Sequence, residues 1–401
     1  MRDPYQCVLK FNQNRDPQFL ARKYKLMASS PFRFYRGSCH LFYEDLSTGQ
    51  TWRDTTRTWI CGDLHIENFG TYRSRYQVVY FDINDFDEAA LAHPTWELAR
   101  FLCSIFLAGW ELKLKDDDLK TTVLELLEQY LLALKGGKAY AIEKECVKGI
   151  VKKYIKTVAE RDHTIFVDSR TILDSNNQKR LLIDSKKYFA IEDEKLKTAL
   201  ILQFTEHLAQ NMSDKKANYQ VLDVAIRVAG TGSIGLKHYV FLAYNDLEKS
   251  YHLFDMKQAI ESSLNIFSDL KNLQPRWENQ AQRIQFVQNI MEYETPAYLS
   301  TQIFQDQAYI VKALQPDQDK LDFKQCEEDP KKFTEACIYM AQLMAYAQIR
   351  SSGRLGSSSV DELIAFAEQA EHWKADLLNY TYHYAQQVVQ DHQSFVKEYQ
   401  A

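Results

Sequence analysis

Apolar and polar positions change period several times along this chain. From Trp96, Leu98, Phe101, Leu102, Ile105 and Phe106 recur at helical spacing, which predicts a helix largely turned to the interior. Further helices are predicted over 115–134 and 138–160, parted by Gly136-Gly137, and over Glu194–Asn211. Residues 1–28 read as a helical or irregular lead-in. The run from Ser29 to Gly37 reads as a turn rich in aromatics and arginine. Thr51–Cys61 and the segment ending at Phe81 read as strands, and 163–192 as a β-hairpin turning at Asn176-Asn177. Asn211 to Lys216 is a polar linker.

A second unit begins near Asn218. Val221–Val228, Tyr239–Tyr244 and Tyr251–Met256 alternate as strands, with Gly230–Gly235 as the first connection, so an antiparallel meander is predicted. A helix follows over Trp277–Met291, then a short strand over Tyr309–Leu314 that ends at Gln315-Pro316. From 330 to 401 the pattern is helical except for a loop at 351–357. No internal repeat interrupts this α+β order.

The length, 401 residues, suits two domains or one bilobed unit. A net charge of −5 gives no electrostatic footprint for nucleic acid or a membrane surface. The longest strongly apolar run, Phe101–Trp110, is short of the roughly 20 residues that span a bilayer. The residues after Met1 form no apolar signal core. Seven scattered cysteines without a CxxC pair suit reduced thiols and a cytoplasmic setting. Cys61 abuts the motif described next. It ends the apolar run Thr58-Trp59-Ile60, which favours a buried structural thiol over a catalytic one.

Candidate chemistry concentrates in Gly62-Asp63-Leu64-His65-Ile66-Glu67-Asn68 and in Phe81-Asp82-Ile83-Asn84-Asp85-Phe86-Asp87. Asp63 can orient a hydroxyl and take its proton. Asn68, with one of Asp82, Asp85 and Asp87, can hold Mg²⁺ against phosphate oxygens. His65 serves as a loop brace or, as Asp-x-His, a metal ligand. Arg36 reads as packed in its loop or as a phosphate contact. Gly230-Thr231-Gly232-Ser233-Ile234-Gly235 fits GxGxxG. The β-rich Lys237–Leu242 that follows excludes the dinucleotide reading, which requires a helix there. What survives is a hairpin tip whose backbone N–H groups approach nucleotide phosphates, with Ser233 as a small donor. Lys257, on the third meander strand, is placed to pair with those phosphates. Glu278 is the expected carboxylate partner of Lys257, with Glu261 as second choice.

The first motif resembles the H-G-D-x-H-x-x-N catalytic loop of aminoglycoside phosphotransferases and choline kinases. Asp85 through Ala99 is similar to their metal segment, and that register places the magnesium aspartate at Asp85. The chain as a whole resembles the bacterial domain-of-unknown-function family 2252 of the protein-kinase-like group. The resemblance rests on Ser30–Gly37, the two acidic motifs, Val228–Gly235, Met256–Ala259, Arg283 and Ala347–Ser351. Two positions depart from the pattern. Cys61 replaces a usual His, implying a differently braced loop, and Gln348 replaces another.

The resemblance implies a bilobed kinase-like fold using ATP and Mg²⁺, with the catalytic loop ahead of the glycine loop, hence a circular permutation. Residues 1–217 would be the first part of the helical catalytic lobe, 218–320 the nucleotide-binding lobe and 321–401 the rest of the helical lobe. A hinge near Lys312–Pro316 would meet the adenine with its backbone. The expected activity is phosphoryl transfer to an unidentified hydroxyl acceptor, small molecule or protein. A nucleotide-binding pseudokinase, an AMP transferase and a plain metal-dependent hydrolase are the alternatives. Glu88 and Glu97 near the motifs favour a cationic acceptor such as an amino sugar.

Overall fold

Several helices open where a capping residue meets proline. In Asp3-Pro4, Asp16-Pro17, Ser30-Pro31 and Asp329-Pro330 the acid or serine oxygen accepts a backbone N–H of the first turn. Proline takes the next position, where its missing N–H costs nothing. A computed structural model of the chain describes residues 2–49, 55–211, 218–315 and 321–400. Its elements in chain order begin with α1 (Pro4–Phe11), α2 (Pro17–Ala28), α3 (Pro31–Gly37), α4 (Cys39–Gly49) and β1 (Thr58–Ile60). Then come β2 (Phe69–Arg73), β3 (Val79–Ile83), β4 (Ala90–Ala92), α5 (Pro94–Glu111), α6 (Asp116–Lys135), α7 (Gly149–Ala159) and α8 (His163–Asp168). β5 (Thr171–Leu173), β6 (Lys179–Leu181), β7 (Tyr188–Phe189) and α9 (Glu194–Asn211) precede the long strands β8 (Tyr219–Arg227), β9 (His238–Asn245) and β10 (Ser250–Gln258). The chain closes with α10 (Ser268–Lys271), α11 (Gln280–Met291), β11 (Ser300–Phe304), β12 (Gln307–Ala313), α12 (Pro330–Arg350), α13 (Val360–Glu368) and α14 (Lys374–Gln400).

The fold is α+β. Its main sheet is antiparallel in the order β11-β12-β10-β9-β8-β7. The predicted meander β8-β9-β10 forms as neighbours, and β12 returns beside β10. One face is covered by α9, whose Phe204 stacks on Phe241 with ring centroids 3.8 Å apart. Separate small ladders join β2 to β3, β1 to β4 and β5 to β6. The largest core is helical and includes Leu98, Leu102, Leu126, Tyr130, Met340, Met344 and Leu377 from α5, α6, α12 and α14. No helix among the described residues is long and apolar enough to cross a membrane.

Four expectations about local structure need correction. The Ser29–Gly37 turn is helical, because Ser30 Oγ accepts Arg33 N–H and Pro31 starts the turn. Only Gly149–Ala159 of the predicted 138–160 helix forms. Upstream, Ile142 gives its carbonyl to Phe81 N–H, and that tertiary bond holds the segment out of a helix. In 163–192, α8 precedes the hairpin β5–β6, and Tyr188–Phe189 leaves to join the main sheet. Among the described residues of the expected Thr51–Cys61 strand, Thr58–Ile60 form strand; Thr51–Asp54 lie outside the described residues, as does most of the 211–216 linker. Strand β11 was not foreseen.

Candidate functional site

The two acidic motifs meet because a short hairpin returns the chain on itself. Asn68 ends the first motif and Phe69 opens β2. The β2–β3 register sets Phe69 opposite Ile83, just before Asp85. Asn84 N–H then donates to Asn68 O at 3.0 Å and ties the segments together. Gly62 has φ +84, and a Cβ there would stand 2.1 Å from the Glu88 carbonyl oxygen, so no larger residue fits.

Asp63 is held from behind. Arg100 of α5, fully buried, donates Nε and Nη2 to Asp63 Oδ1 at 2.7 and 2.5 Å. Its guanidinium stacks 4.1 Å above the Tyr35 ring centroid. Burial lifts the Asp63 carboxyl above its ordinary range, with Arg100 opposing the shift and Asp85 adding to it. Asn68 Nδ2 donates to Asp63 O at 2.7 Å, which leaves its amide oxygen as the atom for a cation. His65 braces the loop. Its Nδ1 accepts Glu67 N–H at 3.2 Å within the loop and its Nε2 faces Arg36 Nε of α3 at 3.3 Å, so both ring nitrogens are engaged.

The Cys61 thiol is buried and pushed well above its usual range, first by burial and then by Glu97, so it is inert. Its backbone does the bracing, as Cys61 N–H donates to Glu97 Oε1 at 2.6 Å. Gln348 Nε2 donates to Glu97 Oε2 at 3.1 Å and Tyr130 Oη donates to Gln348 Oε1 at 2.6 Å. Gln348 therefore supports the Cys61–Asn68 loop through Glu97. Burial lifts the Glu97 carboxyl from 4.5 to about 7. The folded state then keeps a proton that the unfolded chain releases, so this group's contribution to stability falls as pH rises from about 4.5 to about 7 and is flat above. At 1.36 kcal/mol per pKa unit the decline is about 3 kcal/mol. Urea unfolding of wild type and Glu97→Gln across this window should give a difference curve with that slope. A pH-independent difference would reject it.

Of the three clustered aspartates, Asp82 turns away from the cleft. It is 1% exposed and pairs with Arg350 Nη2 at 2.9 Å. Asp85 and Asp87 face Lys257. The ammonium lies 3.9 Å from Asp85 Oδ1 and is in direct contact with Asp87 Oδ2. Burial alone would loosen its proton, but the two carboxylates outweigh burial and hold it above the ordinary lysine range. Arg283 of α11 clamps this segment from below, donating to the carbonyls of Asp87 (2.8 Å), Ala89 (2.5 Å) and Ile260 (2.9 Å).

Two adjoining cavities meet at Asp85, Asp87, Gly230 and Ser233. The first is walled by Lys257, Lys312, Arg227, His238 and Asp255 with Phe86, Ile284 and Ile310. Asp255 accepts from Arg227 at 2.8 Å and pairs with His238 at 2.7 Å. Those neighbours overcome burial and keep its carboxyl far below the usual range. The second holds Asp63, Asn68, Arg15, Arg36 and Glu88 with Thr231 and Gly232. Gly230, Thr231, Gly232 and Ser233 thus border the cleft, while Ser233 Oγ donates back to Ala229 O at 3.2 Å. Gly235 lies outside both cavities, its carbonyl taking Asp16 N–H at 2.9 Å.

The glycine loop is fastened from the N-terminal helices. Lys23 Nζ, fully buried, donates to Gly232 O at 2.7 Å, and Arg15 Nη1 donates to Gly232 O and Ile234 O at 2.5 and 2.9 Å. Burial drives the Lys23 ammonium well below its usual range and brings Arg15 down to about 10.

Three expectations do not match this geometry. Glu278 is exposed in the turn before α11, accepting from Gln282 Nε2 at 2.7 Å, and Glu261 is likewise exposed and accepts from Asn265. The α11 residues that line the cleft are Ile284 and Gln288, so the carboxylates at Lys257 come from Asp85 and Asp87 instead. The expected hinge is already engaged. Leu314 N–H donates to Leu253 O, and Gln315 O accepts from Arg227 Nη2 at 3.2 Å; Pro316 lies outside the described residues. Glu88 and Glu97 do not present free carboxylates to an acceptor, since Glu88 binds Ser263 N–H and Oγ and Glu97 is interior.

Arg100, Arg15 and Lys23 were not singled out from sequence, and Asp87 was read only as a candidate metal ligand, not as the partner of Lys257. Arg100 left a trace, a lone cation inside the apolar helix 96–110. Among the described residues no three of His, Cys, Asp and Glu form a metal-holding group. A site of one aspartate and one asparagine suits Mg²⁺, which keeps waters and phosphate oxygens in its shell.

The family model described as "Uncharacterized protein conserved in bacteria (DUF2252)" matches residues 15–398. No curated protein and no solved structure matches the chain.

Proposed function

We propose, for a chain that belongs to this bacterial DUF2252 family, that it is a Mg²⁺·ATP-dependent phosphotransferase of permuted, protein-kinase-like fold acting on a hydroxyl acceptor. One observation carries the reading. Asp63, Asn68 and Asp85 come from the first quarter of the chain, Gly230–Ser233 and Lys257 from its second half, and all border the same pair of cavities. Chain order is immaterial where side chains converge.

Mg²⁺·ATP, when bound, supplies the phosphoryl group and neutralises its charge. Asn68 and Asp85 would hold the ion, and Lys257 with the backbone of Gly230–Ser233 would hold phosphates. Asp63 orients the acceptor hydroxyl and takes its proton, while Arg100 fixes the carboxylate in place. Asp87 keeps Lys257 in the cleft until phosphate oxygens compete for it.

The polar first cavity favours a second reading. Arg227 and Lys312 line the space where an adenine would be expected, and Leu314 N–H and Gln315 O of the expected hinge are engaged. Phosphates seated there would reverse the nucleotide and make AMP the transferred group. The mass of the modified acceptor separates the two.

Calorimetric titration of ATP with and without Mg²⁺ tests the nucleotide site. Wild type is expected to bind in a Mg²⁺-dependent manner. Asp85→Asn should lose at least 10-fold of that affinity, and Lys257→Ala a similar factor without Mg²⁺, since each charged hydrogen bond contributes about 1.5–3 kcal/mol. Absence of binding to wild type would reject the kinase, pseudokinase and AMP-transfer readings alike.

A further inference from the structure

The lining of the second cavity comes from three stretches far apart in the chain. Asp63 and Asn68 belong to the first acidic motif, Gly230–Ser233 and Leu236 to the glycine loop, and Phe11 and Arg15 to the N-terminal helices, with Gly37 and Cys39 between α3 and α4. The glycine loop packs directly on the N-terminal part. A Cβ on Gly232 would stand 3.3 Å from the Arg36 carbonyl oxygen, and one on Gly235 would stand 2.9 Å from Arg15 Cβ. Arg15, Lys23 and the Asp16 N–H hold the loop in that position. The cavity beside Asp63 is thus covered by a fastened element.

Two of its residues have no part in holding nucleotide. The Thr231 hydroxyl is 2% exposed and has no hydrogen-bond partner in the protein. A buried hydroxyl in that state calls for a ligand or a water. Phe11 is 37% exposed, a large ring that packing has not buried, although it is held flat on His40 with centroids 3.8 Å apart and planes 3° from parallel. Cys39, Leu236 and Ile260 add apolar surface.

We infer that the acceptor is a free small molecule, not a side chain of a protein, and that it seats an apolar face on Phe11 and a polar group on the Thr231 hydroxyl while its own hydroxyl meets Asp63. This rests on the phosphotransferase reading. In γ-phosphoryl transfer the acceptor oxygen bonds to the γ-phosphorus as the bridging P–O bond breaks. ADP leaves with that electron pair, and the acceptor proton goes to Asp63. A serine or threonine of a protein carries its hydroxyl one bond beyond Cβ. Its main chain would enter the cavity too and run on in both directions at about 3.3–3.6 Å per residue. The glycine loop, fastened to Arg15 and Asp16, closes the cavity against such a chain. A compact alcohol needs no groove of that length.

The test starts from calorimetry of Mg²⁺·ATP on the whole chain. ATP labelled at the γ-phosphate and, in parallel, at the α-phosphate is then offered with two sets of acceptors. The small ones are glycerol, inositol, hexoses, nucleosides, hydroxy acids, amino alcohols and an ultrafiltered extract of bacterial cells. The proteins are dephosphorylated casein, histone and a glutamate–tyrosine copolymer. Label is expected in small molecules alone. Label on the proteins overturns the inference and leaves the phosphotransferase reading standing. Label on nothing overturns both, as does a wild type that binds no ATP. With the acceptor found, Thr231→Val should raise its KM about 3- to 10-fold, the effect of losing a neutral hydrogen bond, with kcat within two-fold. Phe11→Ala should raise KM about 10-fold through lost apolar contact, and Phe11→Leu less. Mg²⁺·ATP affinity within two-fold of wild type shows that each variant is folded. An acceptor KM unchanged in all three variants would take the acceptor out of this cavity and overturn the proposal.

Discussion

Asp63→Asn is expected to lower kcat by about 10²- to 10⁴-fold, the usual worth of a positioned general base, while Mg²⁺·ATP affinity stays within two-fold. The side chain borders the cavity opposite the glycine loop, and Arg100 occupies only one of its oxygens. Burial lifts its carboxyl, and the group must be ionised to accept a proton. Activity should therefore fall on the acid side at a pH above the ordinary aspartate range. The variant also leaves Arg100 buried without its counter-charge, which costs stability, so Asp63→Asn/Arg100→Met is the control for folding. Steady-state ADP release, read beside ATP calorimetry, checks the outcome. Full activity in Asp63→Asn would remove Asp63 from the chemistry, and loss of ATP binding in a folded variant would make it a structural residue.

Arg350→Met should destabilise the fold by about 3–5 kcal/mol, the range for breaking a buried ion pair. Asp82, 1% exposed, accepts from Arg350 and from the N–H groups of Ile83 and Tyr293. Glu292 is buried beside it, its own carboxyl pushed well up by burial and by Asp82. Without the guanidinium, two acids face each other in the interior. The Asp82 carboxyl, already raised by burial, would rise further. A group raised on folding loses stability as pH climbs from its unfolded to its folded value, so the deficit should be larger at pH 8 than at pH 5. Urea midpoints at both pH values measure this, and an equal deficit at both would mean that charge burial is not the cause.

The residues legible in sequence were those whose relation is set over a few positions. Asp63 and Asn68 lie in one loop, and Gly230–Gly235 is one turn. Preferring Asp85 to Asp82 followed from register, and Asp85 borders both cavities while Asp82 pairs with Arg350. Pairings decided by packing were not legible. Glu278 looked placed for Lys257 by analogy with a helix carboxylate, but the helix starts two residues later at Gln280 and turns Gln288 to the cleft. The partner was a carboxylate already in view, Asp87. Arg15 and Lys23 gave no signal at all, since their role depends on where α1 and α2 dock. The Ser30-Pro31 pair did carry a start signal for α3, hidden by the aromatic and arginine content that suggested a turn. The α+β class was readable because strand and helix periods occupy long separate stretches.

The fastening of the glycine loop bears on how this protein can be shortened. Nothing in residues 1–28 resembles a motif, and a construction boundary drawn at Ser30 would look safe. It would remove Arg15, Lys23 and the Asp16 N–H, and with them the donors to the carbonyls of Gly232, Ile234 and Gly235. The motif would remain intact in sequence, yet its backbone would be unmoored. A competent fragment has to begin ahead of Arg15.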